Sequence, residues 1–157
     1  MTKPRKSIIN AKGYEIPLYA ENFRLKLDAN ENVIGPSPKV IEALRNVTEE
    51  DIKFYPAYGR LLEKLAAYNH VKQGMLLPAN GCDEVIGYVV DTFVEREDTI
   101  LNVQPTFVMP KIYATTLGCS YKEIPYTQKW EFPVDEVIKN IDERTKLIIV
   151  TSPNNPT

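Results

Sequence analysis

The chain has 157 residues, of which 43% are hydrophobic and 25% are charged, and its formal net charge is -2 at pH 7. This composition is typical of a soluble globular protein, and the lack of a basic cluster argues against nucleic-acid binding. No apolar run reaches the roughly 18 residues of a membrane span, and the basic start lacks a signal peptide's apolar core. Cys82 and Cys119 are too far apart for the usual metal or redox motifs, so a cytoplasmic protein without a metal site is expected.

The front of the chain is predicted to be an extended arm. Glycines and prolines interrupt residues 1–38, whose apolar residues show no sustained period. One short strand is predicted at residues 23–27, where apolar and basic residues alternate. Pro38 then opens a short predicted helix over residues 39–46, since proline fits the first helical position.

From about residue 59 onwards, helical and strand patterns alternate. Apolar residues at helical spacing or short apolar runs predict four helices, at residues 59–70, 82–93, 107–116 and 133–140, and four strands, at residues 75–79, 99–103, 121–124 and 146–151. Gly118 is a good left-handed cap for the third helix. Strands that alternate with helices indicate an α/β fold with a mainly parallel sheet and flanking helices. The apolar run at residues 147–150 is expected to be covered on both faces.

Ligands of open parallel sheets bind beyond the carboxyl ends of the strands, so the strand-to-helix junctions are candidate sites. At residues 79–84, Ala-Asn-Gly-Cys-Asp-Glu combines a tight turn with the first turn of a helix. Unpaired N–H groups and the helix dipole attract an anion such as phosphate at this position. Because Asp83 and Glu84 are also good first-turn residues of an ordinary capped helix, both interpretations stay open.

Two further junctions are equally open when each is considered alone. Phe107 follows the strand at residues 99–103 and suits either stacking on a planar ligand or core packing. Ser-Pro-Asn-Asn-Pro-Thr at residues 152–157 follows the most apolar strand. Its asparagine amides are possible donors to a ligand oxygen, but an ordinary surface turn has the same composition.

Five segments, taken in their order along the chain, resemble the sequence motifs of one enzyme family. They are Leu-Asp-Ala-Asn-Glu-Asn at residues 27–32 with Gly-Pro-Ser-Pro at 35–38, Tyr-Pro at 55–56, Asn-Gly-Cys-Asp-Glu at 80–84, Pro-Thr-Phe at 105–107, and residues 152–157. The last segment resembles an Asn-Pro-Thr-Gly loop up to its glycine. The chain therefore resembles the N-terminal portion of the fold-type I pyridoxal-phosphate (PLP) aminotransferases, class I/II, and most of all the histidinol-phosphate aminotransferase group.

The resemblance implies a PLP site. Backbone N–H groups of Cys82 and Asp83 would hold the cofactor phosphate, Phe107 would stack on the pyridine ring, and Asn155 would hydrogen-bond the phenolic oxygen of the ring. Tyr55 would reach the cofactor phosphate of a second subunit, which implies a homodimer.

The family pattern also implies the domain organisation and what lies outside the chain. Residues 1–54 correspond to the arm and opening segment of the small domain, and residues 55–157 to the first part of the PLP-binding large domain. Because the family's Schiff-base lysine follows the Asn-Pro-Thr-Gly loop, we expect it beyond Thr157 and assign no catalytic residue. The 157-residue chain alone is therefore expected to be an inactive fragment. Lys111 and Lys146 are interpreted as surface residues, and His70 as a structural or capping residue.

The implied activity is transamination between histidinol phosphate and 2-oxoglutarate in histidine biosynthesis. Val33, Ala57, Tyr58 and Pro110 depart from the group's usual residues, and Phe107 lacks the hydroxyl of the usual tyrosine. These departures leave open a related PLP enzyme such as a threonine-phosphate decarboxylase. A non-catalytic remnant that kept the phosphate turn is a third alternative. Tyr14 or Tyr19 is a candidate for an arm that closes over substrate.

Overall fold

The computed structural model describes residues 2–9, 11–13 and 29–157. Backbone contacts divide the chain into two compact units, one of Met1–Glu15 with Pro78–Thr157 and the other of Ile16–Leu77. The predicted boundary at residues 54 and 55 refers to the domains of a complete family enzyme, which these units do not test, so it stays a prediction. The predicted strand at residues 23–27, as well as Tyr14 and Tyr19, lies outside the described residues.

The described elements follow one another in an order that confirms the alternation of helices and strands from residue 81 onwards. They are helices α1 (Lys6–Ile9), α2 (Pro38–Arg45), α3 (Glu49–Lys53), α4 (Gly59–Asn69) and α5 (Gly81–Phe93), strand β1 (Thr99–Gln104), helix α6 (Met109–Leu117), strand β2 (Ser120–Pro125), helix α7 (Val134–Lys139) and strand β3 (Thr145–Ile149). In the part of the chain that the structure describes, no helix has both the length and the apolar content to cross a membrane.

Local hydrogen bonds define the helix ends in the unit Ile16–Leu77. Pro38 is the first residue of α2, as predicted, and the hydroxyl of Ser37 accepts a hydrogen bond from the amide of Lys39 at 3.3 Å. Helix α3 was not predicted, although Thr48 and Asp51 form a capping box at its start. Helix α4 ends at Asn69, and the next residue, His70, has a φ of 55°, which confirms its interpretation as a capping residue.

The sheet confirms the predicted α/β class. Its three strands are parallel in the order β2-β1-β3. Thr99 of β1 lies opposite Ser120 of β2 and Thr145 of β3, so all three strands begin at one edge and end at the other. The carboxyl ends of the strands therefore lie side by side at one edge of the sheet.

Each face of the sheet has its own buried cluster. On one face, Ile100 of β1 packs with Val90 of α5, with Val94 directly after that helix, and with Ala114 of α6. On the other face, Val103 and Ile124 pack with Val137 of α7. Since Ile100 and Val103 are at least 96% buried, β1 is the central strand of a two-sided core.

Two strand predictions are wrong. Residues 76–79 join no described strand, and they follow a 3₁₀ turn at Gln73–Met75. An apolar run forms a strand only where a neighbour accepts and donates its backbone hydrogen bonds, and this run has no such neighbour among the described strands.

The prediction that β3 is covered on both faces is also wrong, because Ile148 is 39% exposed whereas Leu147 and Ile149 pack on the Ile100 cluster. Helix α7 packs against β1 and β2 and leaves that side of β3 open.

The arm prediction is wrong for the start of the chain. Lys6–Ile9 form a short helix, α1, that packs against α6. The hydroxyl of Ser7 donates a hydrogen bond to the carbonyl oxygen of Thr116 at 3.1 Å. A four-residue helix of this kind depends on its tertiary contact, because so short a segment is not stable by propensity alone.

Candidate functional site

Helix α5 begins with the sequence-predicted phosphate turn. Gly81 has a φ of 81°, a conformation that favours glycine, and a Cβ atom at this position would meet nothing within 4 Å. Cys82 and Asp83 follow in the first turn and are exposed. The amides of a first turn have no acceptor within the helix, so they are available to an anion.

Glu84 has a different role from its two neighbours. Its carboxylate accepts a hydrogen bond from the backbone amide of Asn80 at 2.6 Å. This bond, with a second one from Tyr88, holds the pKa of Glu84 below its ordinary value. The capping interpretation of the acidic pair is therefore correct for Glu84, while Cys82 and Asp83 remain exposed.

The start of α5 lies on the carboxyl side of the sheet. Helix α5 has 13 residues, or about 20 Å, which matches the length of a six-residue strand. Its end leads through the buried Val94 to the start of β1, and its middle packs against α6, where Gly87 adjoins the ring of Tyr113. Helix α6 itself starts at the carboxyl edge, because it follows β1 and leads back to the start of the parallel strand β2.

Phe107 lies in the loop between β1 and α6 and is half-buried. The predicted helix at residues 107–116 begins two residues later than expected, at Met109, and ends at the predicted left-handed cap, Gly118. The backbone before Phe107 is held by a side chain of β1, since the amide of Thr106 donates to Gln104 Oε1 at 3.1 Å. Gln104 Nε2 in turn donates to the hydroxyl of Tyr121 on β2 at 3.3 Å.

The loop after β3 contains two asparagines with different surroundings. Asn155 is exposed, as a residue that contacts a ligand must be before the ligand binds. Asn154 is half-buried and bridges to the β1–α6 loop, since its Nδ2 donates to the carbonyl oxygen of Pro105 at 2.9 Å and its Oδ1 lies 2.6 Å from Thr106 Oγ1. The structure therefore brings together the loops that carry Phe107 and Asn155.

Sequence reasoning considered both asparagines as possible donors to a ligand, and it did not identify the contacts that Asn154 makes with Pro105 and Thr106. The only available signal was the pair of consecutive asparagines, which does not indicate which of the two points inward.

Tyr55 lies in the other unit, between α3 and α4. Its side chain is fully exposed. The predicted contact of Tyr55 with a second subunit therefore stays a prediction.

An open cavity of about 220 Å³ lies beside the candidate loops, at the carboxyl ends of β1 and β2. It is lined by Gln104, Pro105, Pro125, Tyr126, Thr127, Gln128 and Trp130. Phe107 and Asn155 do not line this cavity, so we base the candidate site on the loops and the start of α5.

The fold and the loops define an α/β protein with its candidate ligand groups at the carboxyl edge of a parallel sheet. The sequence profile of the family described as aminotransferase class I and II matches residues 24–157. The chain belongs to this family, and the expected resemblance is confirmed.

Its relatives are most consistently histidinol-phosphate aminotransferases. The chain is 34% identical over 133 residues to the one from Shouchella clausii, covering 84% of this chain and 36% of the relative. Identity to the one from Methanocaldococcus jannaschii is 31% over 137 residues, covering 85% and 37%. The chain thus spans little more than a third of the length of these relatives.

A solved structure supports the fold. The histidinol-phosphate aminotransferase of Sinorhizobium meliloti, crystallised in complex with pyridoxal-5'-phosphate, superposes with a TM-score of 0.72 over 82% of this chain and 35% of its own. The identity is 21%, so this likeness concerns the fold alone.

Proposed function

We propose that the chain forms part of the cofactor site of a PLP-dependent aminotransferase. The complete enzyme would transfer an amino group between histidinol phosphate and 2-oxoglutarate. Family membership and the names of the relatives support this proposal. The observation that carries it is the joining of two loops at the carboxyl edge, where Thr106 Oγ1 lies 2.6 Å from Asn154 Oδ1.

The residues at this edge fit the chemistry of PLP. The cofactor has a phosphate, a planar ring and a phenolic oxygen, and the edge offers a helix start, an aromatic ring and an amide. The open space around Gly81 allows a phosphate to approach the amides of Cys82 and Asp83. Phe107 is half-buried and Asn155 is exposed, so both side chains have solvent-facing surface for a ligand.

PLP supplies an electron sink that stabilises negative charge on the carbon next to the amino group. The amides of Cys82 and Asp83, aided by the dipole of α5, would hold the phosphate. Phe107 would cover one face of the ring and exclude water from it. Asn155 would donate its amide to the phenolic oxygen and stabilise negative charge there.

Further groups would complete this site. We propose that the Schiff-base lysine lies outside residues 1–157 and that the chain alone is inactive. The exposed Tyr55 is proposed to contact the cofactor phosphate in a second copy of the chain, so that the working enzyme is a homodimer. We also propose that this enzyme is located in the cytoplasm.

The binding of pyridoxamine 5'-phosphate tests the cofactor site. This probe keeps the ring, the phenolic oxygen and the phosphate, but it has no aldehyde that would label surface lysines. We expect Phe107→Ala to weaken binding about two- to tenfold, since an aromatic stack contributes about 0.5–1.5 kcal/mol. Asn155→Ala is expected to have an effect of similar size through the lost hydrogen bond.

Phe93→Ala is the matched control, because Phe93 is 59% exposed at the far end of α5. Equal affinities for wild type, the Phe107 variant and the Phe93 variant would refute the assignment of Phe107. If inorganic phosphate binds as tightly as the probe, the chain binds only the phosphate group, and the alternative of a non-catalytic remnant that kept the phosphate turn is correct.

The reaction is tested on an enzyme that contains these residues together with the family's lysine segment. With histidinol phosphate and 2-oxoglutarate, the proposal predicts formation of glutamate. Release of carbon dioxide from threonine phosphate, without glutamate formation, would identify the decarboxylase alternative.

A further inference from the structure

A line of hydrogen bonds crosses the carboxyl edge of the sheet from one strand to the next. It begins at the hydroxyl of Tyr121 on β2, continues through the side chain of Gln104 at the end of β1 to the amide of Thr106, and reaches Asn154 after β3. We propose that Thr106 and Asn154 are positioning residues, which hold Phe107 and Asn155 in the geometry that the cofactor ring requires. This inference rests on the proposed function.

The chemistry of the groups defines the direction of each bond. Asn154 Oδ1 is only an acceptor, so Thr106 Oγ1 donates its proton to it across the 2.6 Å separation. Thr106 Oγ1 then accepts from the hydroxyl of Thr151, which lies 3.2 Å away. The hydroxyl of Thr106 is thereby bonded to two residues of the loop after β3.

The amide of Asn154 is fully used within the protein. Its two Nδ2 protons go to the carbonyl oxygen of Pro105 at 2.9 Å and to Thr157 Oγ1 at 2.5 Å. Because its oxygen accepts from Thr106, this side chain has no remaining donor for a ligand. Asn154 therefore acts through its neighbours, and the ligand contact is left to Asn155.

Covalent connection transmits the effect of these bonds. Phe107 directly follows Thr106, and Asn155 directly follows Asn154, so each ligand-facing residue is one peptide unit, about 3.8 Å, from a held one. The bridging residues are 48 positions apart in sequence, so the bond joins two strand ends and is not part of a local turn. Residues held before a ligand arrives do not have to be ordered on binding, which improves affinity.

Four variants test the proposal with two independent measurements. The variants are Thr106→Val, Thr106→Ser, Asn154→Ala and Asn155→Ala. The measurements are the affinity for pyridoxamine 5'-phosphate and the amide hydrogen exchange of residues 104–108 and 151–157 without ligand. Thr106→Val keeps the shape of threonine but removes the hydroxyl, and Thr106→Ser keeps the hydroxyl.

We expect Thr106→Val and Asn154→Ala to speed exchange in both loops and to weaken binding about five- to tenfold. Thr106→Ser should restore both properties, which a role of the threonine side chain in packing alone would not produce. Asn155→Ala should weaken binding through the lost contact with the ligand. A fifth variant, the double change Thr106→Val with Asn154→Ala, should weaken binding by less than the two single changes combined, because each single change already breaks the bond between Thr106 and Asn154.

The proposal is overturned if Thr106→Val exchanges and binds like wild type, or if Thr106→Ser behaves like Thr106→Val. Should Asn154→Ala fail to fold, the valine and serine variants still distinguish these outcomes. If wild type does not bind the probe, the proposed cofactor site fails. Unchanged exchange in Thr106→Val would separately refute the connection between the loops.

Discussion

Replacing Gly87 with alanine tests how tightly helix α5, which begins with the candidate phosphate turn, packs against helix α6. A Cβ atom at Gly87 would lie 2.8 Å from Cε1 and 2.9 Å from Cζ of Tyr113, whereas ordinary contact begins at 3.4 Å. The ring or the helix must therefore move by about 0.6 Å. Tyr113 packs on the buried cluster around Val90 and Ala114, which restricts such a movement.

Two opposing effects determine the size of the change. Overpacking in a well-filled core costs about 1–3 kcal/mol. Alanine in place of glycine within a helix returns about 1 kcal/mol through helix propensity. We therefore expect Gly87→Ala to lower the free energy of unfolding by about 1 kcal/mol, with an upper limit of about 2 kcal/mol.

Urea unfolding followed by circular dichroism measures this change in two backgrounds. In Tyr113→Ala, which removes the ring, Gly87→Ala should become stabilising by up to about 1 kcal/mol. Gly59→Ala is a control without a clash, since its Cβ atom would meet nothing within 4 Å. If Gly87→Ala stabilises the protein equally with and without the Tyr113 ring, the packing account is refuted.

One further prediction concerns the pH dependence of the helix cap at Glu84, and another concerns the size of the buried core. The hydrogen bonds to Glu84 depress its pKa below 4.5, so they stabilise the fold above about pH 4.5, and this contribution is lost as the pH falls through the folded-state pKa. Glu84→Gln should therefore lower the urea midpoint more at pH 7 than at pH 3, and an equal deficit at both pH values would contradict this. Ile100→Ala, at a fully buried position, should cost about 2–5 kcal/mol in urea unfolding. Ile138→Ala, at a residue that is 61% exposed, should change stability by less than about 0.5 kcal/mol, and similar losses for the two isoleucines would contradict the assigned core.

Local patterns predicted the helices and strands that have strong local signals or buried partners. Strand β1 lies between two others, so its apolar run coincides with its burial, and Gly118 ends α6 at the predicted position. The run at residues 75–79 looks the same in sequence, but no described strand pairs with it. Strand formation depends on a neighbour that can come from any part of the chain, and a local window does not contain this information.

The candidate site was predictable down to its loops but not to the roles of neighbouring residues. The motif at residues 152–157 contains two adjacent asparagines with identical side chains. Only the fold distinguishes Asn154, which bonds to Pro105 and Thr106, from the exposed Asn155. The same applies to Glu84, whose capping bond to Asn80 depends on how the turn before α5 is folded.

The most direct test of the central claim is to map where the cofactor analogue binds. Amide chemical shifts of the 17.9 kDa chain would be recorded by NMR during a titration with pyridoxamine 5'-phosphate. The account predicts that the largest shifts cluster at the start of α5 and in the two loops, at Cys82, Asp83, Phe107 and Asn155. Shifts confined to the cavity around Tyr126 and Trp130, or no saturable shifts, would contradict it.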